Sequence, residues 1–130
     1  MRYNNGLSAV ELLVALLIAG VFIISGYQLY TYVFKNGTQA SQRAEASNLA
    51  YAKMREKAAS VVTAGGACAT STATSTPSGT TLPSPSITVA VSCPYGTTGS
   101  LSNVFRVTST INYTDGSGAQ SVSHAILVKT

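Results

Sequence analysis

Charge is scarce in this chain. Only 9% of its 130 residues are Asp, Glu, Lys or Arg, against about a quarter in ordinary soluble domains. His124 is the sole histidine and Asp115 the sole aspartate. The four acidic residues are scattered, so no group of clustered oxygens suits calcium. There is no P-loop, no GxGxxG and no His/Cys cluster, which removes the sequence basis for a nucleotide cradle or a zinc site. A Ser-His-Asp site would have to take His124 from a strand-like run and Asp115 from a turn, and no nucleophile-elbow motif surrounds any serine. No catalytic residue, cofactor or metal is therefore expected, and the chain is not read as an enzyme. The net charge of +4 is too small to indicate nucleic-acid binding by itself; solubility and membrane orientation account for it.

Cysteine is equally sparse. Cys68 and Cys93 form no CxxC pair, so neither a redox motif nor a zinc site is supported. If the domain is exported, a disulfide between them is the expectation, since small cores often need a covalent staple. Two free, buried cysteines are the alternative.

What the chain does have is one long apolar run. From Leu7 to Phe34 the only charged residue is Glu11. About 20 apolar residues suffice to cross a bilayer, and this stretch is long enough. A carboxylate near the bilayer centre costs roughly 2.5–3.5 kcal/mol; Glu11, near one end, costs less but still requires a partner. Residues 1–6, MRYNNG, are too short and polar for a conventional signal peptide.

Residues 7 to about 62 read as one helix. Its first half is apolar all round, as a membrane span or buried helix is. Gly20, Ser25 and Gly26 permit close helix–helix approach. Tyr27, Tyr30, Tyr32 and Phe34, followed by Lys35, read as an interfacial aromatic belt. Asn36 and Gly37 mark a place where a kink is plausible. In the second half Ala40, Ala44, Ser47, Tyr51, Met54, Ala58 and Val61 fall at alternating four- and three-residue steps, the stripe of an amphipathic helix. At 1.5 Å per residue the helix would reach roughly 80 Å, so its second half must stand outside any bilayer.

Gly65 and Gly66 end the helix. Residues 69–86 form a Ser/Thr/Pro tract without apolar periodicity, hence a loop, either plain or carrying O-linked sugars. Three strands follow, over 87–95, 105–113 and 122–129, the first two with strict alternation. Thr114 to Gly118 is a hairpin turn by composition. The fold class is α+β: a long helix whose second half packs on an antiparallel meander of three or more strands. Cys93 is placed on the apolar face of its strand.

The segment Gly6-Leu7-Ser8-Ala9-Val10-Glu11-Leu12-Leu13-Val14-Ala15-Leu16 resembles the class III signal of the type IV pilin superfamily, which includes type IV pilins, the pseudopilins of type II secretion and the pilin-like proteins of DNA uptake. The resemblance is close over residues 1 to about 34 and architectural beyond. It implies three parts: a leader over 1–6, a membrane and filament-core segment over 7–34, and an exported domain over 35–130 with the loop at 69–86 and the sheet at 87–130. It further implies cleavage after Gly6 by a membrane-embedded prepilin peptidase, N-methylation of Leu7, and pairing of Glu11 with the N-terminal amine of a neighbouring subunit. The implied partners are other copies and related pilins, the peptidase, the assembly machinery and the cytoplasmic membrane. The implied path runs from inner-membrane precursor to extracellular filament, with adhesion, motility or secretion as properties of the filament. Two departures stand out. The first mature residue would be Leu7 where Phe is usual, and Ser25-Gly26-Tyr27-Gln28 lies where many major pilins carry proline. Major pilin, minor pilin and pseudopilin stay open. Lys53, Arg55 and Lys57, with Arg43 nearby, form a short basic run that is a candidate contact for DNA phosphates or for acidic subunit surfaces; a solvated or subunit-facing role is favoured over DNA.

Overall fold

In the structure, a computed structural model whose described residues are 8–130, one long helix precedes four strands. The helix, α1, covers Ala9–Ala64. The strands are β1 (Ser71–Ser75), β2 (Ser86–Ser92), β3 (Val104–Asp115) and β4 (Gly118–Lys129). They form one sheet in the order β1-β2-β3-β4, every pair antiparallel. The architecture is α+β, a long N-terminal helix packed on an antiparallel meander. By internal contacts the chain divides into two units, Met1–Thr38 and Gln39–Thr130.

The helix assignment runs without a break through Asn36 and Gly37. The helix stops where expected. Gly65 has φ 61° and its N–H reaches the Val61 carbonyl at 3.2 Å, the left-handed cap that glycine adopts without a Cβ clash.

Within the second unit the helix face is narrower than the expected stripe. The buried residues are Ala46, Ala50, Met54 and Ala58, at a strict four-residue step. Ala40, Ala44 and Tyr51 are exposed, and Ser47 and Val61 are half-buried. A four-residue row is inclined about 26° to the helix axis, and a sheet twists with a fixed hand, so a twisted sheet follows that row. Three of the four residues are alanine, which lets the sheet backbone come close.

On the sheet side β3 does what strict alternation demands. Phe105, Val107, Ser109, Ile111 and Tyr113 are all buried. Two clusters result. One joins Ala46 and Ala50 to Leu82, Ile87, Ile111 and Tyr113. The other joins Met54 and Ala58 to Cys68, Val91, Phe105 and Val107.

Three expectations are corrected. The Ser/Thr/Pro tract is not wholly loop: Ser71–Ser75 pair with Val91–Ile87 as β1. Its residues are exposed on both faces, so backbone pairing holds it and no apolar alternation announces it. The same tract also inserts Leu82 into the core. The last strand is twelve residues long, starting at Gly118, because the two-residue turn Gly116-Ser117 begins pairing at once, with Asp115 opposite Gly118. Finally, β2 ends at Ser92 and not at 95; Cys93, one residue past it, is half-buried and still packs on the apolar side, against the second cluster.

The expected disulfide is present, Cys68 to Cys93, with a sequence separation of 25 and a Cα–Cα distance of 5.8 Å. It links the segment after α1 to the end of β2, beside the second core cluster. Closing a loop of this length contributes about 3 kcal/mol in the chain-entropy description.

Candidate functional site

The segment singled out by its sequence opens α1. Ser8 is the cap: its Oγ accepts the Glu11 N–H at 3.2 Å, and its carbonyl accepts the Leu12 N–H at 3.1 Å. Ser8-Ala9-Val10-Glu11 is the S-x-x-E pattern of a capping box. This role of Ser8 was missed, although the pattern was visible. Glu11 therefore sits in the first turn of α1, where a negative charge meets the positive end of the helix dipole. Its side chain is exposed. Gly6 and Leu7, the proposed cleavage and methylation residues, lie outside the described residues.

On both sides of Glu11 in sequence the helix presents large apolar side chains, and they point in every direction. Val10, Leu13, Leu16, Leu17, Phe22, Ile23, Tyr27, Leu29 and Phe34 are all more than half exposed. Leaving one such side chain in water rather than burying it costs roughly 1.5–3 kcal/mol. The helix is long and apolar enough to cross a membrane. Its few polar groups are quieted locally, since the Thr31 and Thr38 hydroxyls donate to the Gln28 and Phe34 carbonyls one turn back, at 2.9 and 3.0 Å. The Tyr30 and Phe34 rings are in contact, tilted 48° to one another with centroids 4.3 Å apart.

The basic run lies on the second half of α1. Lys53 Nζ is 2.7 Å from Glu56 Oε2, and the Arg55 guanidinium lies 5.9 Å from the centre of the Tyr51 ring. Lys57 is half-buried. Two of the three cations thus have local partners.

Two polar links flank the alanine row. On one side Ser47 Oγ is 2.9 Å from His124 Nε2, and the His124 ring lies edge-on to Tyr51. On the other side the Glu45 carboxylate accepts the Thr81 hydroxyl and, at 2.9 Å, the Thr81 N–H. The Thr81 hydroxyl, then the Thr81 amide, hold the Glu45 carboxyl below the usual carboxylate range. These bonds fix the segment that delivers Leu82 to the core. Among the described residues no three His, Cys, Asp or Glu side chains converge on a metal position.

What this arrangement can do is associate. The apolar half of α1 can be covered by lipid or by other apolar helices, and Glu11 is its one charged group. A comparison with known families, with curated proteins and with solved structures finds no match for this chain.

Proposed function

We propose that this chain is the structural subunit of a type IV pilus or pilus-like filament. It enters the cytoplasmic membrane as a precursor, is cleaved after Gly6 and N-methylated at Leu7, and assembles through the apolar half of α1 while Glu11 pairs with the N-terminal amine of a neighbour. The observation that carries this reading is the exposed apolar surface from Val10 to Phe34 with one acid in its first turn. Soluble monomers rarely expose so large an apolar patch.

The physics of assembly follows from that surface. Apolar side chains leave acyl chains for other helices, so extraction from lipid leaves them covered. An unpaired carboxylate shielded from water is costly, and a positive partner recovers much of the loss. A subunit inserted out of register leaves Glu11 unpaired, so the pair acts as a register check. Ser8 supports this by fixing the helix start one residue after Leu7. The exported unit then lines the filament surface on the outside of the cell. DNA capture through Lys53, Arg55 and Lys57 draws less support, because Lys53 and Arg55 already have partners on their own helix.

Sheared surface filaments provide the test. Mass spectrometry should find this chain with an N-terminal peptide starting at methylated Leu7, and its copy number separates a main subunit from a minor one. Glu11→Ala should leave cleavage intact and abolish or cripple assembly. Normal filaments from that variant would sink the pairing, and an uncleaved N-terminus would sink the reading as a whole.

A further inference from the structure

The sheet has two edges, and they are unlike. β4 gives twelve residues, Gly118–Lys129, with no proline and a single formal charge, Lys129, near its end. Its register with β3 runs unbroken from Val104 opposite Lys129 to Asp115 opposite Gly118, so no bulge twists the edge away. Natural sheets protect long edges with charges, prolines, bulges or a covering segment. Here β4 has only its terminal lysine, and among the described residues nothing pairs on its outer side.

The backbone groups that face outward can be named. Asp115 and Gly118 close a two-residue turn and exchange hydrogen bonds, and bonded and non-bonded pairs alternate from there. The outward N–H and C=O groups are those of Ala119, Ser121, Ser123, Ala125, Leu127 and Lys129. Thr110 and Ser123 agree, since their hydroxyls meet at 3.1 Å, as side chains do in the closer, non-bonded pair. All six side chains are exposed, Leu127 at 56%.

The other edge is β1, with the sequence STATS: five residues, uncharged, without proline and exposed on both faces. It places no repulsive group opposite β4 and has no buried face that a neighbour would disturb. Four antiparallel strands make β1 and β4 run in opposite directions. Two copies pointing the same way therefore bring β4 of one against β1 of the next in antiparallel pairing. Pairing β4 with β4 needs a two-fold axis, which turns the copies head to tail and does not suit a polar filament. Contacts between unlike surfaces repeat without closing.

We propose that the outer edge of β4 docks β1 of a neighbouring copy, so that the sheet continues from subunit to subunit across the filament surface. This rests on the filament reading. A five-residue edge supplies far less than the roughly 800 Å² per partner of a standard stable interface. Free copies therefore do not pair through it. Bundled apolar helices raise the local concentration of one edge near the other, and the pairing then forms.

Sheared filaments of the full chain test this with paired cysteines and a short thiol cross-linker. Thr72→Cys is combined in turn with Ser121→Cys, Ser123→Cys and Ala125→Cys, because the register places Thr72, Ala90, Thr108 and Ala125 on one face of the sheet. At least one pair should give a ladder of covalent multimers in filaments and none in detergent-dispersed precursor. Filaments without a ladder from all three pairs overturn the inference and leave the subunit reading intact; no filaments from the unsubstituted chain overturn the reading itself. Dimers from Ser123→Cys alone, in place of ladders, establish β4–β4 pairing and also overturn it. A second measurement uses no cysteine. Ser123→Pro removes one outward donor at an edge, where proline is tolerated, and should lower the dissociation temperature of filaments relative to Ser123→Ala. Equal temperatures contradict the proposal.

Discussion

The two halves of α1 use side chains in opposite ways. In the first unit, leucine, isoleucine, valine and aromatics crowd the helix on all sides and stay exposed. In the second, the face that matters is Ala46, Ala50, Met54 and Ala58, and it is covered by the sheet of the same chain. Small residues mark the half that the sheet covers; large ones mark the half left exposed. Apolar bulk alone therefore does not locate the core of this protein. Its core is built where the helix is least bulky, with bulk supplied by Ile87, Val107, Ile111 and Tyr113 from the strands.

The contrast breaks first under paired truncations. Ile111, fully buried in β3, should lose about 3 kcal/mol of stability as Ile111→Ala, measured by thermal unfolding of the full chain in detergent. Leu17→Ala on the exposed half should shift the same transition by no more than about 0.5 kcal/mol while lowering filament yield. Equal losses at both sites would erase the distinction between the halves.

A smaller effect tests the alanine row. Ala50→Leu inserts a branched side chain where a residue of 0% exposure faces the sheet, and should cost about 2 kcal/mol through overpacking. Ala44→Leu, on the exposed side, should cost almost nothing.

The row at Ala46 and Ala50 was the hardest part of the second unit to read. Alanine is common in any helix, so its four-residue spacing gives no apolar signal, and the expected stripe, right at Met54 and Ala58, was drawn by Tyr51 to one side of Ala46 and Ala50. β1 was hidden for a related reason, because STATS has no face to bury and only backbone pairing defines it. By contrast Phe105 to Tyr113 was legible residue by residue, since strict alternation over a buried strand allows one register. The disulfide and the start of α1 were legible too, while Ser8 as its cap went unnoticed beside the more conspicuous Glu11. What a helix end needs is a hydrogen-bond acceptor, and a serine supplies it without altering hydropathy.

The smallest predicted effect concerns Glu45 and Thr81. A carboxyl held below its usual value of 4.5 by the Thr81 hydroxyl and amide contributes stability that is complete above that value. As pH falls below 4.5 the unfolded chain takes up the proton first, and the contribution is lost as pH passes through the lower folded value. Glu45→Gln should flatten this part of the stability–pH curve and loosen the segment around Leu82, read as faster amide exchange there. An unchanged acid limb would remove Glu45 from the account.

The central claim is that the uncovered half of α1 is covered by its own kind. Electron cryomicroscopy of sheared filaments tests it most directly. The account predicts a filament core made of bundled helices from residue 9 to about 34, with Glu11 of each subunit within ion-pair distance of the Leu7 amine of another. A filament whose core is formed by the sheets, or one that leaves Glu11 facing solvent and the apolar half uncovered, would contradict it.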